Sequence, residues 1–471
     1  MSTGFVYDGQ MDKLNEECGV FGFYDNDGFD VARLTYYGLY ALQHRGQDSA
    51  GIAVNNDGVF TCHKDLGLVP EVFDDRTINK LKGTMAVGHV RASTKAENFR
   101  ENAQPLVTKY VKGTLALAHN GQLLNGADLR HKFEKNGAIF HTTIDSEVIM
   151  YQLAQERIGA HSIEQAMLNA MDSLKGAYSI VLMSPRKLIG ARDLHGFRPL
   201  CIGKMHNSYI ICSETCALEN LGAEFIREVE PGEVVVVDEN GLRSLKHKNA
   251  PDKAEICIFE HVYFARPDSE IQGMSVHEMR KMMGRYLAKD YPVDADLVFG
   301  VPDSGLCAAL GYAEESGIMY GDGFVKNRYI GRTFIQPTQS QREQSVNIKL
   351  NVVKNAVRGK SVVMVDDSIV RGTTCANIIR SLKDAGALEV HVRVSSPPFL
   401  WPCYFGTDVP SRDSLIAVKY TVEEIREMVG ADSLGFLSVD ALKEIASYMN
   451  CNYCQGCFTG KYPIEAPKSD K

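Results

Sequence analysis

The sequence predicts two domains of different class: an α+β domain built on antiparallel sheet, followed by an α/β domain built on a parallel sheet. Three observations carry this. The chain has 471 residues, more than one typical domain holds. Its first half, from about residue 18 to 238, strings together short alternating strands with helical interruptions, the pattern of a helix-covered antiparallel sandwich. Beyond residue 253 the chain alternates strands with helices around the segment VVMVDDSIVRGTT at 362–374, as parallel sheets do.

In the first half, GTMAVGHVR (83–91), AYSIVLM (177–183) and EVVVVD (233–238) are rich in β-branched and apolar residues and read as strands. DSEVIMYQLA (145–154) and IEQAMLNAMD (163–172) have apolar residues at helical spacing. The polar stretch 244–253, with its Lys, Asn and Pro, reads as the linker. Beyond it, 297–300 and 362–365 are unbroken apolar runs of the kind a doubly covered parallel strand requires. Residues 374–383 after the second run return to helical spacing. There is no internal repeat and no low-complexity tract.

Charge narrows the function classes. A net charge of −8 does not suit a nucleic-acid binder, which needs a strong positive field. No run of about twenty apolar residues is present to span a bilayer, and the polar start lacks a secretory pattern, so the expected location is the cytoplasm. In that reducing compartment the twelve cysteines are expected to be buried thiols, nucleophiles or metal ligands rather than disulfides.

The 362–374 segment joins a buried strand, two adjacent carboxylates and a phosphate-sized loop. Asp366 and Asp367 stand where the strand ends, and residues 368–374 offer hydroxyls, a glycine and backbone N–H groups ahead of a helix, an arrangement that cradles phosphate. Neither a Walker loop nor a dinucleotide fingerprint is present. Two carboxylates beside such a loop suit the vicinal hydroxyls of a ribose. The segment resembles the phosphoribosylpyrophosphate (PRPP) signature of type I phosphoribosyltransferases. That resemblance implies Asp366 and Asp367 on the ribose hydroxyls and Ser368, Ile369, Val370, Arg371, Gly372, Thr373 and Thr374 around the 5′-phosphate. Mg2+ is implied at Ser304, Asp366 and Asp367, with the PDSG turn (302–305) meeting pyrophosphate.

A second set of motifs lies in the first half: EECGVFGF (16–23), QHRGQDSAGI (43–52), GHVRAST (88–94), HNGQ (119–122) and TIDSE (143–147). In this order they resemble the glutamine amidotransferases with an N-terminal cysteine nucleophile, whose fold is a four-layer αββα sandwich. The chemistry suits the residue types. Amide hydrolysis needs a soft nucleophile and a base working near neutral pH, and a free α-amino group has a pKa of about 8. Cys18 supplies both if residues 1–17 are a removed propeptide. By the same resemblance Asn120 and the backbone N–H of Gly121 form an oxyanion hole and Arg45 is catalytic. Arg91 takes the glutamine α-carboxylate, Asp145 its ammonium, and His119 lines the site. Structural readings stay open for two of these, Arg45 as an ion-pair partner and Asp145 as a helix cap.

Together the halves resemble the glutamine PRPP amidotransferases over nearly all residues after Cys18. The implied division is 1–17 propeptide, 18–250 glutamine domain and 251–471 phosphoribosyltransferase domain. Lys326, Tyr329 and Arg332 fall on a segment similar to the family's closing loop, and Lys349 resembles a phosphate contact, a surface lysine being the equal alternative. Cysteines at 257, 403, 451, 454 and 457 resemble the iron–sulfur subgroup, which carries a propeptide. The pattern assigns a [4Fe–4S] cluster to Cys257, Cys403, Cys454 and Cys457, with Cys451 spare and a four-cysteine zinc site as the alternative.

The implied reaction takes glutamine and PRPP to 5-phosphoribosylamine, glutamate and pyrophosphate, the committing step of purine synthesis. Inhibition by purine nucleotides and a homotetramer come with the resemblance. A PRPP-binding regulator has no use for the five glutamine motifs. An iron–sulfur redox sensor rests on the C-terminal cysteines alone, and a glucosamine-6-phosphate synthase lacks the PRPP loop.

Overall fold

The computed structural model describes residues 18–93, 98–327, 350–407, 409, 411–449 and 451–466. Two antiparallel sheets make up the first half. One has seven strands in the order Glu224–Glu228, Cys201–Met205, Ser208–Cys212, Gly19–Tyr24, Met85–Arg91, Ser49–Asn56 and Val59–Leu66. The other has six, Gly241–Lys246, Glu233–Asp238, Leu188–Arg192, Gly176–Met183, Gly113–Leu123 and Leu106–Tyr110. The inner strands are buried on both faces because each sheet is covered twice. Val20, Ala53 and Val87 of the first sheet meet Ala116, Ala118 and Val181 of the second in a fully buried seam.

The outer faces carry the helices. Val31–Ala41 and Thr215–Leu221 pack on the first sheet; Gly126–Lys135, Asp145–Gly159 and Ile163–Met171 pack on the second. The result is a four-layer αββα sandwich.

The polar stretch 244–253, expected as linker, begins later than its composition suggests. Its first three residues belong to the edge strand Gly241–Lys246, which pairs with Glu233–Asp238 from Lys246↔Glu233 to Gly241↔Asp238. An edge strand keeps one flank in water, so it tolerates the Ser and Lys that read as loop.

The second half is built on a four-stranded parallel sheet in the order Leu297–Gly300, Ser361–Asp366, Glu389–Val394, Ser433–Phe436. The run at 362–365 divides its side chains by strict alternation. Val363 and Val365 join the helices Val276–Asp290 and Gly305–Ser316 on one face. Val362 and Met364 join Thr373–Asp384 and Val422–Val429 on the other. A two-stranded parallel pair, Glu255–Cys257 with Asn452–Cys454, returns the C-terminal segment to the start of this half. Among the described residues no helix is long and apolar enough to cross a membrane.

Candidate active sites and a cysteine-lined cavity

Cys18 stands at the head of the central strand Gly19–Tyr24, half-buried, with its Sγ 3.7 Å from the carbonyl of Ala92. Register places Gly19 opposite Val90, so the nucleophile candidate and buried Arg91 share one end of the first sheet. The second sheet brings up Asn120 and Gly121. A ring nitrogen of His89 reaches the His119 carbonyl at 2.9 Å and joins the two sheets at this level.

Asn120 is fully buried, and neither its amide nitrogen nor its amide oxygen has a protein partner. Leaving such a group unsatisfied costs about 1–3 kcal/mol, which suits a donor held ready for an oxyanion. Gly121 has φ +133°, and a Cβ there would lie 2.1 Å from the Ala177 carbonyl oxygen. Only glycine lets the strand run this close.

Asp145 opens the helix Asp145–Gly159, where its carboxylate accepts the backbone N–H of Leu123 at 2.8 Å and so ties the helix to the strand end beyond Gly121. His119 is buried beside Ser146, Nδ1 to Oγ 3.2 Å, and burial pushes its pKa down to about 4. It is neutral at pH 7 and acts there as a hydrogen-bonding, not a charged, group.

Arg45 is fully buried in an ion-pair cluster. Its Nε donates to the Cys18 carbonyl at 3.0 Å, Nη1 to Glu214 at 2.6 Å and Glu260 at 2.9 Å, and Nη2 to Glu260 at 2.9 Å. Burial opposes its charge, but Glu260 and Glu214 outweigh burial and hold the guanidinium charged. Arg45 thus grips the backbone of Cys18 and shares its remaining nitrogens between Glu214 and Glu260.

In the second half the strand Ser361–Asp366 ends on the two carboxylates, both buried. Ser304 Oγ donates to Asp367 Oδ1 at 2.5 Å, Ser368 Oγ to Asp367 Oδ2 at 2.6 Å, and the Asp367 N–H to Asp366 Oδ1 at 3.0 Å. Ser304 gets this near because Gly305 lies against the Val365 carbonyl, which a Cβ would approach to 2.3 Å. The loop then turns through Gly372 into the helix Thr373–Asp384, leaving an indentation of about 300 Å³, open mouth included, lined by Asp366, Asp367, Ser368, Ile369, Val370 and Thr374. The first turn of that helix offers N–H groups to an anion. Lys326 pairs with Asp303 of the PDSG turn at 2.5 Å. Tyr329, Arg332 and Lys349, and the propeptide expected at 1–17, lie outside the described residues.

The C-terminal cysteines sort themselves by contact. Cys257 and Cys454 are opposed in the parallel pair, and with Cys403 and Cys457 they line an apolar cavity of about 350 Å³, open mouth included, together with Phe197, Phe405 and Tyr462. Burial, and then the neighbouring thiols, raise the pKa of Cys454 and Cys457 well above the ordinary value. Such thiols ionise only against added positive charge. Cys451 is buried in the adjoining core and does not line the cavity. Among the described residues no three His, Cys, Asp or Glu are gathered closely enough to hold a metal ion.

A glutamine amidotransferase domain profile matches residues 89–220. The amidophosphoribosyltransferase of Bacillus subtilis (strain 168) is 48% identical over 457 residues, covering 96% of this chain and 95% of that protein. The amidophosphoribosyltransferase of Archaeoglobus fulgidus is 49% identical over 452 residues, covering 96% and 98%. The chain belongs to the amidophosphoribosyltransferase family. Its fold agrees with that of the B. subtilis glutamine PRPP amidotransferase solved with ADP and GMP, at TM-score 0.89 and 47% identity over 96% of this chain and 99% of that one. A second solved structure, described as the allosteric regulatory enzyme of purine biosynthesis, matches at TM-score 0.90 and 47% identity, covering 96% and 98%.

Within this amidophosphoribosyltransferase fold, the sequence reading missed Glu214, Glu260 and Arg198, all with fully buried side chains: the two glutamates pair with Arg45, and Arg198 pairs with Glu260. Arg198 lies in DLHGFRPL (193–200) and Glu260 opens EHVYFARPDS (260–269). Charged residues inside such apolar stretches were the available signal; their partners, about 170 to 215 residues from Arg45, were not.

Proposed function

We propose that this chain releases ammonia from glutamine at Cys18 and adds it to C1 of PRPP, giving 5-phosphoribosylamine, glutamate and pyrophosphate. One observation carries the reading. A cysteine at a sheet end shared with Arg91 occurs in the same chain as a buried, unpartnered Asn120 amide and as the paired carboxylates and helix-start loop at 366–374.

In the glutamine half, the Cys18 sulfur attacks the amide carbon, and the developing oxyanion is met by Asn120 and the Gly121 N–H. Removing one such donor typically lowers the rate about 100- to 1000-fold. Ammonia leaves, and water hydrolyses the thioester to glutamate. Arg91 and Asp145 hold the two charged ends of glutamine, a planar fork suiting carboxylate. The α-amino group of Cys18 becomes the proton acceptor once residues 1–17 are removed.

In the other half, Asp366 and Asp367 hold the ribose hydroxyls and the 368–374 loop holds the 5′-phosphate. The nitrogen lone pair forms the bond to C1 as the C1–pyrophosphate bond breaks. Ser304, Asp366 and Asp367 present hard oxygen donors that fit Mg2+. When bound, Mg2+ neutralises charge on the departing pyrophosphate. Lys326, Tyr329, Arg332 and Lys349 are assigned to the closing loop and phosphate contacts. Cys257, Cys403, Cys454 and Cys457 fit a [4Fe–4S] cluster, since four thiols round one apolar cavity match its ligand set. When bound, the cluster supplies positive charge and cross-links the C-terminal segment. Purine nucleotides as inhibitors, a homotetramer and a cytoplasmic location complete the reading.

The test is glutamate release by anaerobically purified protein whose N-terminus is confirmed as Cys18 by intact mass, with and without PRPP and Mg2+. Release stimulated by PRPP, abolished in Cys18→Ala, is the expected result. Release that persists in Cys18→Ala removes the nucleophile, and no release from correctly processed protein removes the coupled reaction.

A further inference from the structure

The cluster that grips Cys18 reaches further than the glutamine site. Arg45, Arg198, Glu214 and Glu260 have fully buried side chains, two cations against two anions. Glu214 also accepts from Ser269 at 2.6 Å and from the Arg266 N–H at 3.0 Å, so it is held from the second half as well. Glu260 opens the π-helical turn Glu260–Phe264, three residues after Cys257. Its Oε1 and Oε2 take Nη2 and Nη1 of Arg45, both at 2.9 Å, in a two-bond fork. Oε1 also accepts Nη1 of Arg198 at 3.4 Å. Arg198 in turn donates to the Phe405 carbonyl at 2.7 Å and to Thr407 Oγ1 at 3.5 Å, and both residues line the cysteine cavity.

Simple cohesion between halves explains why such charges are paired, but not where the chain of contacts ends. A guanidinium is planar and rigid, so a carboxylate that forks two of its nitrogens also sets the direction of the third. In Arg45 that third nitrogen holds the carbonyl of Cys18. Near-attack geometry is steep in distance, and a misplacement of about 1 Å lowers rate about 100-fold.

We propose that Glu260 is a positioning residue for glutamine hydrolysis. It orients the Arg45 guanidinium and thereby the Cys18 backbone, and through Arg198 it makes that orientation depend on the wall of the cysteine cavity. This rests on the assignment of Cys18 as nucleophile. It predicts that the glutaminase centre is well formed only when the cavity of the other half is.

The experiment compares the full-length, anaerobically purified protein with Glu260→Gln, which keeps the shape and removes the charge. The readouts are kcat and KM for glutamine, ammonia-dependent synthesis, and the rate of Cys18 alkylation by iodoacetamide followed by peptide mass. The expected result is a fall of about tenfold or more in glutamine kcat with KM within about twofold, slower alkylation, and unchanged ammonia-dependent synthesis. Unchanged glutamine kcat and alkylation overturn the proposal. So does an equal loss of glutamine- and ammonia-dependent synthesis, which marks general misfolding, or a rise in KM alone. If Glu260→Gln yields no folded protein, Glu260→Asp, which withdraws the carboxylate from Arg45, is read the same way. Cys18→Ala separates the two ideas: glutamine hydrolysis surviving in it sinks the nucleophile assignment, whereas an inactive Cys18→Ala beside a wild-type-like Glu260→Gln sinks only the role of Glu260.

Discussion

Gly121→Ala should silence the glutamine half while sparing the phosphoribosyl half. At φ +133° the new Cβ would lie 2.1 Å from the Ala177 carbonyl oxygen and 2.7 Å from its carbon, against 3.4 Å or more for ordinary contact. The obstacle is backbone of the neighbouring strand Gly176–Met183, paired Gly121↔Tyr178 and Gln122↔Ala177, so no side chain can swing aside. Strand 113–123 must shift by about 1 Å, and the Gly121 N–H and Asn120 amide move with it. Losing one oxyanion donor corresponds to roughly 3–4 kcal/mol of barrier, a factor of 100 to 1000 in glutamine kcat. The strained backbone adds about 1–3 kcal/mol of lost stability, small enough for the domain to stay folded. The assay is glutamate release alongside ammonia-dependent phosphoribosylamine formation and a thermal melt. Glutaminase within a few-fold of wild type, in a folded protein, would refute both the oxyanion role and the steric argument.

Asp367→Ala removes the carboxylate that Ser304 and Ser368 both address and should lower PRPP turnover by about 100-fold or more with either nitrogen source; normal turnover with ammonia would exclude the assignment. Cys454→Ser should lose bound iron and sulfide and melt at lower temperature, while Cys451→Ser, away from the cavity, should keep both; the reverse pattern would redraw the ligand set. Stability should fall as pH drops below neutral. Burial lowers His89 and His261 to about 3 and His119 to about 4, whereas an unfolded chain takes up these protons near 6.5. The unfolded state therefore binds more protons below that value, and each histidine removes about 1.4 kcal/mol per pH unit until its folded pKa is reached. Between pH 7 and 5.5 the three together remove roughly 3–4 kcal/mol, measurable as an earlier denaturant midpoint; an unchanged midpoint would contradict their buried, neutral state.

What the sequence determined by itself was local. Strand, loop and helix around Asp366 to Thr374 are contiguous, so apolar run, paired carboxylates and small hydroxyl residues signal the phosphate loop without any distant partner. The same holds for Cys18 before its strand and for Asn120-Gly121 within one. Even the edge strand at 241–246 was hidden only because an edge is polar enough to look like linker.

The tertiary structure decided everything that depends on which distant residues meet. Arg45 sits in a glutamine motif, yet its side chain is spent on Glu214 and Glu260, because a buried cation must be matched wherever the fold brings an anion. A parallel pairing across about two hundred residues aligns Cys454 with Cys257, while Cys451 lies in the core. Cys454 reaches the cavity from that short strand and Cys457 from the helix Gly456–Thr459 that follows, a meeting that no local pattern specifies until the strand has a neighbour.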